Sequence, residues 1–69
     1  MKVLLKDSIE FRKVLIEKGY SQRKFAREID TSEAYLNQII NMKKHASPGV
    51  ARKISNGLEI EFKDLFIIK

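Results

Sequence analysis

Cysteine is absent from this 69-residue chain, which excludes a disulfide framework and any thiolate zinc site and suits a reducing cytoplasm. Histidine occurs once, at His45, with no nucleophile or ligand cluster around it, so an exposed loop residue is expected there and not a catalytic one. The glycines are scattered and form no phosphate-cradling loop. The carboxylates Glu10, Glu17, Glu59 and Glu61 lack the partners that acid–base or metal chemistry requires, and they read as caps and surface charges. No enzyme activity, metal or cofactor is therefore expected. Long apolar runs are missing too: Met1 to Lys6 is too short for a signal peptide or a membrane span.

Acidic residues are also lacking over one long interval. None falls between Glu33 and Glu59, whereas Lys43, Lys44, Arg52 and Lys53 do. The net charge of +5 is thus unevenly spread, with one basic surface and one mixed one, and a polyanionic partner is favoured. Apolar residues make up 43% of the chain, enough for one small core and no deep enclosed site. A single domain over residues 1–69 is expected, with no room for a separate sensor.

Cap residues and helical spacing divide the chain into five short helices. Asp7 opens the first, with Glu10 in capping-box position and Gly19 as the stop. Ser21 opens the second, whose buried stripe is Phe25, Ala26 and Ile29. Asp30-Thr31-Ser32 is a tight turn, and Ser32 caps a third helix that turns Tyr35, Leu36, Ile39 and Ile40 inward. Ser47-Pro48 starts the fourth, where Gly57 implies a close neighbour, and Glu61 to Phe66 makes the fifth. The apolar ends, Lys2 to Leu5 and Phe66 to Ile68, are compatible with a two-stranded ribbon, with longer helices or with a subunit contact. The expected fold class is all-α, a compact five-helix bundle.

The second and third helices form a helix-turn-helix, and the outer face of the third is rich in amides. With Leu36 and Ile39 facing the core, Glu33, Ala34, Asn37 and Gln38 lie on the far side, with Asn41 beyond them. Inserted into a DNA major groove by its N-terminal end, that helix would offer Asn37 and Gln38 to adenine edges, Glu33 to a cytosine amino group and Ala34 to a thymine methyl. Gln22, Asn41, Lys43 and Lys44 would hold phosphates, with Ser32 and Tyr35 as further phosphate contacts, although Tyr35 suits a half-buried packing role equally well. A merely solvated polar face is the ordinary alternative, but turn spacing, Gln22 and the charge distribution agree with one another against it.

From about Phe11 to Phe66 the chain resembles the Cro and phage-repressor (Xre-type) helix-turn-helix family. The resemblance rests on Ser21-Gln22 followed by Phe25-Ala26, then Ser32, Leu36 and Ile39, then Ser47-Pro48, Ile54, Leu58 and Leu65-Phe66. It implies a lambda-repressor-like fold in a bacterial or phage cytoplasm, binding double-stranded operator DNA at a palindromic site, usually as a homodimer. By position it implies base contacts from Glu33, Ala34 and Gln38 and phosphate contacts from Gln22 and Asn41. Asp30, Met42 and Glu59 stand where the family usually has glycine, which leaves the path of the loop after the third helix open. Leu15 and Ile40 occupy the positions of its usual buried arginine–glutamate pair, as if an ion pair had given way to an apolar contact. The rival readings are a protein-interaction module of the same fold, such as an antitoxin or an antagonist of a larger repressor, and an architectural or excision factor. With no sensor domain, control of the DNA-binding regulator is expected from protein concentration, a competing protein or a regulatory protein partner.

Overall fold

Four side chains in extended backbone start the four longer helices of the computed structural model, which describes residues 1–69. Asp7 accepts from the backbone N–H groups of Ile9 and Glu10 at the head of α1 (Ser8–Glu17). Glu10 contributes only its backbone N–H, so half of the expected capping box forms. Ser21 accepts from Lys24 N–H at α2 (Gln22–Glu28), Ser32 from Tyr35 N–H at α3 (Glu33–Ile40), and Ser47 from Val50 N–H at α4 (Pro48–Leu58). Each such cap stabilises its helix by about 1 kcal/mol. A single-turn α5 (Phe62–Leu65) completes the expected five helices.

The same device ends every longer helix. The backbone reverses through one left-handed residue, and two N–H groups reach back to the final turn. After α2, Asp30 N–H donates to Arg27 O and Thr31 N–H to Ala26 O. After α3, Met42 N–H donates to Ile39 O and Lys43 N–H to Gln38 O. After α4, Glu59 N–H donates to Asn56 O and Ile60 N–H to Ser55 O. The left-handed residue is glycine only after α1, at Gly19; elsewhere it is Asp30 (φ 58°), Met42 (φ 61°) or Glu59 (φ 58°). The path of the loop after α3 is therefore the one a glycine would give, reached by a residue for which that conformation costs about 1 kcal/mol or more. Glu59→Gly relieves this strain away from the helix-turn-helix. It is expected to stabilise the domain by about 1 kcal/mol, a rise of about 4–8 °C in the thermal midpoint followed by circular dichroism.

The expectation of an all-α fold needs one correction. The two chain ends pair as an antiparallel ribbon, β1 (Val3–Leu5) with β2 (Phe66–Ile68), in the register Val3↔Ile68, Leu4↔Ile67, Leu5↔Phe66. Phe66, expected to close the fifth helix, is the first residue of β2. Such a ribbon is marginal alone. Here Val3, Leu5 and Phe66 are buried on the helices, and Ala46 N–H donates to Val3 O at 2.9 Å, tying the loop after α3 to the ribbon.

One core joins all these elements. Phe25, Leu36, Ile40, Ala51, Ile54 and Leu58 are completely buried. Leu15 and Ile40 both lie within it, so the two positions of the family's ion pair are part of the apolar interior. Gly57 has the close neighbours its position implies: a Cβ there would stand 3.1 Å from both Ile29 Cγ2 and Phe25 Cε1.

Candidate nucleic-acid interface

The turn between α2 and α3 holds the two helices against each other and leaves one side of α3 bare. Leu36, Ile39 and Ile40 are buried, which turns the opposite side to solvent. Glu33, Ala34, Asn37 and Gln38 line one shallow recess there, and Lys43 joins them. Lys43 arrives because the loop folds back on α3: Lys43 N–H donates to Gln38 O at 2.8 Å and Lys44 N–H to the same oxygen at 3.3 Å. The side chains singled out for base contact thus share one surface with an exposed cation. Lys44 lies beside it, in a second recess with Lys2, Met42 and His45.

Glu33 is held by Arg23, with Nε 3.4 Å from Oε1. Both side chains are largely exposed, so the pair adds little to stability. Its effect is electrostatic: a carboxylate that would repel DNA phosphates stands next to a guanidinium. Arg23 was not legible as part of this surface from helical spacing, because the pairing crosses the turn.

The amides make a longer chain. Asn37 Nδ2 donates to Gln22 Oε1 at 3.0 Å, and Asn41 Nδ2 donates to Asn37 Oδ1 at 3.0 Å. Arg12, from α1, donates through Nη2 to Asn41 Oδ1. Gln22 and Asn41, the two amides expected to meet phosphates, are therefore joined through Asn37. Arg12 is the second residue that sequence reasoning missed; nothing in the pattern of α1 distinguishes it from any other exposed cation.

Two other expected contacts have structural duties. The Ser32 hydroxyl accepts the N-terminal hydrogen bond of α3. Tyr35 is half-buried, and its hydroxyl accepts from Ser47 N–H at 3.0 Å and lies 3.4 Å from His45 O, pinning the loop to α3. His45 is exposed. No three histidine, aspartate or glutamate side chains converge as metal ligands do, and no helix is long and apolar enough to cross a membrane.

Two capped helices joined by a tight turn, the second presenting a polar face flanked by lysines, define a helix-turn-helix DNA-binding domain. The helix-turn-helix family model HTH_3 matches residues 11–65, and the chain belongs to that family, of the Xre and lambda-repressor type. Its members are DNA-binding transcription regulators and typically not enzymes. No curated protein matches the chain.

Proposed function

We propose that this protein is a sequence-specific regulator of Cro or repressor type that lays α3 in the major groove of double-stranded DNA, N-terminal end first. Glu33, Ala34 and Gln38 face base edges. Gln22, Asn41, Lys43 and Lys44 hold phosphates to either side, with Ser32 and Tyr35 next to the backbone. The family's usual arrangement as a homodimer on a palindromic operator fits a domain this small. The observation that carries this reading is the recess itself: the side chains suited to base edges line one surface that also holds Lys43. Arg23 makes Glu33 tolerable there, and leaves it able to accept from a cytosine amino group.

The test is selection of bound duplexes from random DNA, followed by titration of two variants on the selected and scrambled sites. Gln38→Ala is expected to weaken the selected site by about 1–3 kcal/mol and to relax preference at one base position. Lys43→Ala is expected to weaken both sites alike. If neither substitution alters DNA retention at low salt, the DNA reading gives way to the protein-interaction module.

A further inference from the structure

The direction of the amide chain is set at one end. A guanidinium only donates, so Asn41 must turn its oxygen to Arg12 and its nitrogen to Asn37; Asn37 must then turn its nitrogen to Gln22. Every oxygen in the chain has accepted a hydrogen bond. The groups left wholly free at the two ends are donors, the Gln22 amide N–H groups at one and the rest of the Arg12 guanidinium at the other, while each oxygen between keeps one lone pair. Reading adenine needs a donor and an acceptor from the same amide; Asn37 spends one of its two N–H groups and one of its two lone pairs on its neighbours, and a bidentate turn toward a base would have to break those bonds. Phosphate oxygens need donors only. Arg12 is exposed and shares a recess with Ser21 and Gln22, so its free donors stand beside the Gln22 amide.

We propose that Arg12 is a phosphate-binding residue, and that Asn37 is a positioning residue that locks Gln22, Asn41 and Arg12 into one donor array gripping the DNA backbone. This rests on the DNA reading given above and reassigns Asn37, whose place on the α3 wheel suggests a base reader. Three helices supply the array, so it couples the seating of α3 in the groove to the position of α1. The chain polarity also makes Arg12 responsible for which face Gln22 presents: without a donor at that end, the amides are free to reverse.

The experiment titrates the parent chain, Arg12→Gln, Asn37→Ala and the double variant with a selected and a scrambled duplex across a range of salt. All positions are exposed, and thermal melts establish that each variant is folded. Arg12→Gln is expected to weaken both duplexes alike and to reduce the slope of log K against log salt by about 1 for each protomer bound. Arg12→Lys, which keeps the charge, restores that slope. Asn37→Ala is expected to weaken both duplexes several-fold while leaving the slope and the preferred base at every position unchanged. Its effect shrinks in the Arg12→Gln background, because both act through one array. A changed base preference in Asn37→Ala overturns the positioning role, and an unchanged slope in Arg12→Gln overturns the phosphate role. Failure of the parent chain to bind DNA at all would instead sink the reading on which the proposal rests.

Discussion

Ile40→Glu is expected to leave the domain largely unfolded at neutral pH, and Leu15→Arg in the same chain is expected to return much of the lost stability. Ile40 is completely buried and Leu15 nearly so, within one core fed by both α1 and α3. A carboxylate at position 40 has no cation to meet, and an uncompensated buried charge of this kind costs about 3–5 kcal/mol. A single core in a domain of fewer than about 70–80 residues rarely supplies more than about 3–5 kcal/mol, so the loss takes most of it. Leu15→Arg alone fails for the same reason with the sign reversed. Together the two substitutions rebuild the ion pair that the family usually places at these positions, each charge compensating the other. Urea midpoints of the parent, both single variants and the double variant measure this coupling. A double variant no more stable than the weaker single one would mean that the two positions do not face each other, and the apolar exchange would need another explanation.

The starts of the helices were legible because they are chemical: Asp7, Ser21, Ser32 and Ser47 are short acceptors placed before apolar-periodic runs, and all four cap as expected. The ends were less so. Three of the four reversals use Asp30, Met42 or Glu59, residues that mark a left-handed turn far less plainly than glycine does. The ribbon is undetermined by the sequence for a related reason. Three-residue apolar segments carry no period that separates strand from helix, and the support that decides the matter, Ala46 against Val3, comes from the middle of the chain. The polar face of α3 followed from the helical wheel, since burying Leu36 and Ile39 leaves little choice about Glu33, Ala34 and Asn37. Partnerships among the exposed side chains did not follow. Arg12 and Asn41 are 29 residues apart, and Arg23 meets Glu33 across a turn; each depends on how two helices pack and not on any local pattern.

Affinity for DNA is expected to collapse with rising salt, and the steepness of the collapse reads how many copies grip the site. Counterion release depends on the cations that neutralise phosphates; Gln22, Asn41 and Ser32 can donate hydrogen bonds without changing it. One protomer brings Arg12, Lys43 and Lys44, all exposed and bordering the helix-turn-helix. At about −0.9 per neutralised phosphate, three cations give a slope of about −2.7 in log K against log salt, and a two-fold dimer gives about −5.4. Between about 50 and 200 mM salt these slopes correspond to losses of about 40-fold and about 2,000-fold. Fluorescence anisotropy on the selected duplex separates the two outcomes without any assumption about solution assembly. A steep slope with a palindromic selected site means two protomers bound together, each with its own three cations. A shallow slope on a non-repeating site means one. A flat slope is incompatible with either arrangement, because no grip on phosphates by these side chains can form without releasing the ions they replace.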